Sequence, residues 1–536
     1  MPKSKFVFIA ALVIGFVLRV VWLDRLPIGF TPDEAALGYN AYSLLITGRD
    51  EWAQPFWQLF FTNLRSFGDY KPPLYPFLAV PAVRFFGLHE FSVRLPSAVL
   101  GTLSIAGVFL LTGRLVSRPA AVVAALAMAV SPWSIQMSRM ALEANLVTVF
   151  LPLAIYAWIS RRYAIAVVML VIGFYSYHSA RLITLLVLPL LTVVYPSRRA
   201  LPALLLAAFL LFPGLYSLTG QGSARGADVA ITNPTDSWTG VADRRFTARI
   251  SGLPDVWARA FSNKVTFTIS EFTKNYLSYL SPQFLFTSGA GESTYGIIPG
   301  RGLLYYIELP LLAAAMLAII KRPSKSHYLL LALLLVSLLP PALAKGPGYA
   351  ANRAAAILPF LMALSSAGLM YLHKKLSAYH LPLTAFLVTA YSLLFAFFLE
   401  DYVYHSPRVL ARGMNYGVKE AVTRALQLTG PDLLQISRSL SEPHIYLAFY
   451  QATDPIVYQK DISRYADFPS QGYKFMDQLG DYSIAGIRYG NLRLSSAGRR
   501  EILVGRPGDF PAGYPEHFHL DYPDGTPSIT VSQIGP

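Results

Sequence analysis

Long apolar runs, separated by short clusters of Arg, Lys and Pro, dominate residues 1–400. A helix needs roughly 20 predominantly apolar residues to cross a bilayer. The runs that reach or approach this length lie near 5–23, 95–113, 119–137, 143–160, 163–178, 181–195, 200–219, 303–320, 327–344, 353–372 and 380–399. The pattern therefore predicts a polytopic α-helical membrane protein with about eleven crossings. The first run follows MPKSK and no small-residue cleavage site comes after it, so it reads as a retained span rather than a signal peptide. From residue 401 the pattern changes. PHIYLAFY and PSITVSQI read as strands, and YGVKEAVTRALQLTG has helical spacing closed by Gly. Residues 401–536 are expected to form a small α/β domain beside a membrane domain of residues 1–400.

One apolar run, 71–87, is ambiguous, and its treatment decides the topology. It contains Pro72, Pro73, Pro76 and Pro81, which break helical hydrogen bonding, and Arg84. If it does not cross, the loops MPKSK, GRLVSR, SRRY, YPSRR, KRPSKSH and HKKLSAYH all fall on one side, and each is short and basic. Cytoplasmic loops carry such an excess of Lys and Arg. If it does cross, Arg114, Arg118, Arg161, Arg162, Arg198, Arg199, Lys374 and Lys375 all turn outward. The first arrangement is preferred, with 71–87 as an interfacial segment whose aromatics sit at headgroup level. Loop 24–94, loop 220–302 and the C-terminal portion then face outward from the plasma membrane.

Composition sharpens this reading. The chain has 536 residues, 54% hydrophobic and 14% charged, below the charge content of soluble domains. It has no cysteine, which excludes disulfide and thiolate chemistry. The formal charge of +15 could suggest nucleic acid. However, residues 401–536 hold 13 basic and 14 acidic residues, so the excess belongs to the membrane half and no nucleic-acid partner is expected. There is no Walker loop and no strand-anchored GxGxxG, so no nucleotide donor is indicated.

The outward regions carry the candidate chemistry. Thr31-Pro32-Asp33-Glu34 opens a helix just past the first span, and the same loop ends in Asp69-Tyr70-Lys71-Pro-Pro-Leu. PDE, then KPPL, then HEFSVRLPSAVLG resembles the polyprenyl-phosphate-dependent glycosyltransferases of the GT-C fold. It is similar to the protein O-mannosyltransferases and the lipid A aminoarabinose transferases over roughly residues 1–200, with a weaker echo at 352–372. The C-terminal portion matches neither group. The resemblance implies that Asp33 is the base on an acceptor hydroxyl, with Glu34 beside it. It implies that Lys71 lies near the donor phosphate, that Glu143 is an acid at the outer end of the fourth span, and that Arg353 binds lipid phosphate. Arg181 is added as a further cation for the donor phosphate, and His178, Arg94 and Tyr70 as further candidates, because the topology puts them on the same side, where interfacial charges are usually functional. The implied activity moves a hexosyl or pentosyl group from a polyprenyl-phosphate sugar to a protein, lipid or glycan hydroxyl. Trp238 and Trp257 in loop 220–302 suit sugar stacking.

Several of these residues also have a purely structural account. Asp33 and Glu34 suit the first turn of a helix. Arg94 could snorkel or anchor a helix start, Glu143 could pair with Arg139, and Arg181 could anchor at the interface. Lys345 could hold lipid headgroups. Asp33, Glu34, Glu143 and His178 offer donors that suit a divalent metal, but no HExxH or comparable spacing is present, so no metal is expected. A lipid-linked sugar transporter or flippase would show repeat symmetry and midplane charges. A non-catalytic scaffold would not need both the acidic pair and Lys71.

Overall fold

The computed structural model describes residues 2–219, 226, 229–291, 293, 295–346, 350–376, 383–428, 434–493, 500–510 and 513–534. Five helices are long and apolar enough to cross a bilayer: Glu90–Leu115, Arg198–Thr219, Lys325–Ala342, Ala355–Leu376 and Ala385–Leu410. Arg118–Val130 and Pro132–Ser138, bent by 55° across Ser131, make a sixth if they count as one broken span. This is a multi-pass membrane protein, with fewer long spans among the described residues than the about eleven that apolar run length predicts. The runs 143–160, 163–178 and 181–195 supply only the shorter helices Glu143–Ile159, Tyr163–Phe174 and His178–Val194. Apolar runs do not reveal where turns and 3-10 segments consume residues, as at Glu143–Leu146.

Segment 71–87 forms a thirteen-residue helix, Leu74–Phe86, with Pro81 inside it. At 1.5 Å per residue it is about 20 Å long, short of the roughly 30 Å hydrocarbon layer. Tyr75, Ala79 and Val83 turn into the protein, while Arg84, Phe85 and Phe86 are exposed at its end. It packs against helices Pro32–Thr47 and Glu90–Leu115.

Among its described residues the C-terminal portion holds a six-stranded sheet whose strands lie side by side in the order 482–484, 487–490, 434–437, 501–505, 527–534 and 516–521. Its strands are β3 (Leu434–Ser437), β4 (Tyr482–Ile484), β5 (Ile487–Gly490), β6 (Glu501–Gly505), β7 (Glu516–Asp521) and β8 (Pro527–Ile534). β3 runs parallel to β5 and β6, and the other pairs are antiparallel. PSITVSQI is β8, and Val418–Leu428 is the expected helix. Gly430, read as the end of that helix, lies outside the described residues. PHIYLAFY departs from expectation: it is a helix, Pro443–Tyr450, with Pro at its first turn. Pro443 through Phe449 are buried, so the run has no polar face to mark its period, and a short apolar run reads equally as strand or helix.

This sheet shares its hydrophobic cluster with the first loop. Phe30, Tyr39, Tyr75, Phe449, Tyr458 and Ile484 belong to one contiguous core. Hydrogen bonds stitch the same seam: Tyr446 Oη donates to the Phe30 carbonyl at 2.6 Å, and Tyr39 Oη to the Thr453 carbonyl at 3.0 Å.

Candidate active site

Two buried arginines gather the chain that descends from the first helix. Arg139 donates to the carbonyls of Leu18, Val21, Trp22 and Leu26 at 2.7–3.1 Å. Arg94 donates to those of Leu23, Pro27 and Gly29. Each carbonyl so satisfied would otherwise cost its desolvation penalty. Gly29 is required at this point: its φ is +80°, and a Cβ there would lie 2.2 Å from the Met414 carbonyl oxygen.

The gathered segment ends at Thr31, which caps helix Pro32–Thr47 in a reciprocal capping box with Glu34. Glu34 is 1% exposed, and its carboxylate is fully engaged. It accepts from Arg94 Nε at 2.8 Å and Nη2 at 3.0 Å, from the Thr31 N–H, and from the Ala141 N–H at 3.0 Å. One residue earlier on the same helix, Asp33 points elsewhere. Its side chain is 42% exposed and meets the Lys71 ammonium.

Lys71 ends the second strand of a two-stranded hairpin, β1 (Leu64–Ser66) and β2 (Asp69–Lys71). Such a hairpin is marginal alone. Glu51 supports it from inside the loop, accepting from the Phe67 N–H at 3.0 Å, Ser66 Oγ at 3.4 Å and Asn40 Nδ2 at 2.8 Å. Burial drives the Glu51 carboxyl up to about 7 against the pull of these donors. Burial would by itself lower the Lys71 ammonium. The negative charges of Asp33 and then Glu143 more than offset that and hold it above its ordinary value.

Asp33, Lys71, Glu143, His178 and Arg353 line one cavity of about 260 Å³. Glu143 Oε1 is buried there without a hydrogen bond. His178 Nε2 bonds the Tyr70 carbonyl at 2.7 Å, and Arg353 Nη1 donates to the Lys345 carbonyl at 2.9 Å. One wall is apolar, with Leu142, Leu182, Val229, Pro340 and Leu343.

Four expected residues do not reach the cavity. Glu34 and Arg94 are occupied with each other beneath it. Arg181 is buried, bonding Asn63 Oδ1 and Ser217 Oγ over the Phe174 ring. Tyr70 contributes its carbonyl to His178 rather than its phenol. Glu143 and Arg139, an alternative pair, separate, because all four of the Arg139 hydrogen bonds go to carbonyls. Sequence reasoning missed Tyr177, Tyr295 and Asn352, which also line the cavity. Only YSYHSAR, already singled out for His178, pointed toward Tyr177.

Asp33, Glu34, Glu143 and His178 do not converge as metal ligands. Glu34 is held by Arg94, His178 Nε2 by Tyr70, and the Lys71 ammonium already lies against Asp33.

Comparison with known proteins bears on the fold. Residues 70–217 match the family model of the dolichyl-phosphate-mannose-protein mannosyltransferases. No curated protein matches the sequence. The chain is similar in structure to ArnT from Cupriavidus metallidurans bound to undecaprenyl phosphate, at TM-score 0.51 and 12% identity. That match covers 98% of this chain and 97% of ArnT. It is similar to the archaeal oligosaccharyltransferase AglB from Archaeoglobus fulgidus, solved with an inhibitory peptide and a dolichol-phosphate. There the TM-score is 0.51 and the identity 16%, covering 100% of this chain and 74% of AglB. The chain has the GT-C fold of these proteins.

Proposed function

We propose that this GT-C-fold chain is a glycosyltransferase that moves a sugar from a polyprenyl-phosphate donor to an acceptor hydroxyl at the outer face of the membrane. The observation that carries the proposal is the meeting of the Asp33 carboxylate and the Lys71 ammonium in a cavity also lined by Glu143, His178 and Arg353. In this reading the acceptor oxygen attacks the anomeric carbon, its proton passes to Asp33, and the bond from that carbon to the phosphate oxygen breaks. The polyprenyl phosphate leaves with the electron pair, and a single displacement inverts the anomeric centre. A positioned base contributes typically 10²–10⁴-fold. Charge develops on the leaving phosphate, so cations aimed there act mainly in the transition state. Lys71 and Arg353 supply them, Lys71 as a point charge and Arg353 as a planar fork. The apolar wall suits the first isoprene units of the donor. The lipid phosphates named with ArnT and AglB support the same donor chemistry. Glu34 and Arg94 act here as positioning residues that fix Asp33 through its helix and Glu143 through Ala141. The acceptor is a protein, a lipid or a cell-surface glycan.

The test is transfer of radiolabelled sugar from membrane polyprenyl-phosphate sugars by purified wild type, Asp33→Asn and Lys71→Ala. Label should leave the lipid with wild type alone. Equal transfer by all three would remove this active site. Tight lipid binding without transfer, in a preparation supplied with protein, lipid and glycan acceptors, would favour a transporter or a scaffold.

A further inference from the structure

A second cluster of titratable groups lies outside the cavity, where helix Pro443–Tyr450 begins. Glu442, His444 and Asp477 bring one ligand atom each to within 4.8 Å of one another. His444 is fully buried and Glu442 is 6% exposed. Glu442 Oε2 accepts no hydrogen bond, although it is buried and sits 3.7 Å from His444 Nδ1. The neighbours hold this arrangement in place. His444 Nδ1 bonds Tyr482 Oη at 2.9 Å, Tyr482 Oη donates to Asp477 Oδ1 at 2.9 Å, and the Glu442 N–H donates to Asp477 Oδ2 at 2.6 Å. Ser441 and Glu442 both take left-handed backbone, at φ +54° and +50°, which non-glycine residues adopt only where the surroundings enforce it.

A buried carboxylate with one oxygen unbonded, a half-buried carboxylate and a buried imidazole lie together, and among the described residues no cation pairs directly with Glu442. A doubly charged ion would supply that partner. We propose that Glu442, His444 and Asp477 bind one divalent transition-metal ion, and that zinc(II) is the ion this donor set suits. Calcium and magnesium take oxygen ligands, whereas imidazole suits zinc and its neighbours. Three protein ligands leave a fourth position for the Tyr482 hydroxyl or a water.

The place of the cluster gives the ion a task. Asp477 follows a segment that grips the turn of the β1–β2 hairpin. The Met476 N–H donates to the Phe67 carbonyl at 3.3 Å, and the Phe475 and Phe67 rings lie 6.4 Å apart. A Cβ on Gly68 would fall 2.2 Å from the Lys474 carbonyl oxygen. An ion bound to Asp477 fastens this grip, and β2 ends in Lys71.

The proposal does not rest on glycosyl transfer, and its test reads metal directly. Full-length protein in detergent is stripped with a chelator, dialysed and titrated with Zn²⁺ alone. Bound metal is counted by mass spectrometry while thermal unfolding is followed. Wild type should take up about one zinc per chain and gain a zinc-dependent rise in melting temperature. Glu442→Gln, which keeps the shape of the side chain, and His444→Gln with Asp477→Asn should each lose at least about tenfold in zinc affinity. Wild type that binds no stoichiometric zinc and melts alike with and without it would overturn the proposal. So would equal uptake by the variants. The wild-type titration stands even if the double variant fails to fold.

Discussion

Asp33 and Glu34 are neighbours in sequence and opposites in environment, so the same chemical change at each should have opposite consequences. Glu34→Gln removes the charge that compensates a fully buried guanidinium. Four donors converge on that carboxylate: two from Arg94 and the backbone N–H groups of Thr31 and Ala141. The glutamine amide nitrogen must face some of these donors, and neither rotamer satisfies all four. Breaking a buried ion pair from one side costs about 3–5 kcal/mol. Asp33→Asn removes a charge that is 42% exposed and leaves an oxygen able to accept from Lys71. Lys71 is buried but keeps Glu143 nearby, so the stability cost should stay near 1 kcal/mol, in the range of partly exposed pairs. For transfer the order reverses. Asp33→Asn should lower the rate by about 10²–10⁴-fold, the contribution of a positioned base. Folded Glu34→Gln protein should retain more activity than Asp33→Asn. Thermal unfolding in detergent and the radiolabel assay, run on the same preparations, measure both effects. The reasoning is refuted if Asp33→Asn unfolds as readily as Glu34→Gln, or if it transfers sugar at the wild-type rate.

Arg353→Ala should lower kcat by more than it raises the KM for the lipid donor, because its cation is aimed at charge that develops on the leaving phosphate. Steady-state assays at varied donor separate the two. Glu51 governs a pH dependence. Its native carboxyl keeps a proton up to about 7 that the unfolded chain releases near 4.5, so stability falls as pH rises through this window, by up to about 1.4 kcal/mol per pH unit for one group. Asp50, pushed up to about 7 chiefly by burial, adds a similar share, so Glu51→Gln should reduce the slope of melting temperature against pH without abolishing it.

The parts of the site legible in the sequence were those governed by one-dimensional signals. Loop charge and a proline-broken apolar run assigned Asp33, Lys71, Arg94, Glu143, His178, Arg181 and Arg353 to one end of the bundle; five of these line the cavity, whereas Arg94 and Arg181 are turned to other partners. Helix Pro443–Tyr450 was not legible because burial on all sides erases its period. The difference between Asp33 and Glu34 was equally hidden. Both are acids in a helix first turn, and the partner that sequesters Glu34 lies 60 residues away. Glu51 and the Glu442–His444–Asp477 cluster have no local signature either, since each acquires meaning only from groups brought in by the tertiary fold.

Lys71 is the clearest case of a residue positioned by distant sequence. Its strand is three residues long and pairs with one other, too little to hold a cation still. Glu51 fixes the turn from one side, and Lys474 through Met476 fix it from the other. Those last residues belong to the C-terminal portion, which composition and pattern separate from the membrane half at about residue 400. Packing does not respect that boundary. Phe30, Tyr39 and Tyr75 share a core with Phe449, Tyr458 and Ile484. The C-terminal sheet is therefore part of what holds the Lys71 ammonium against Asp33, and changes in that sheet should be felt in donor binding before they are felt in the spans.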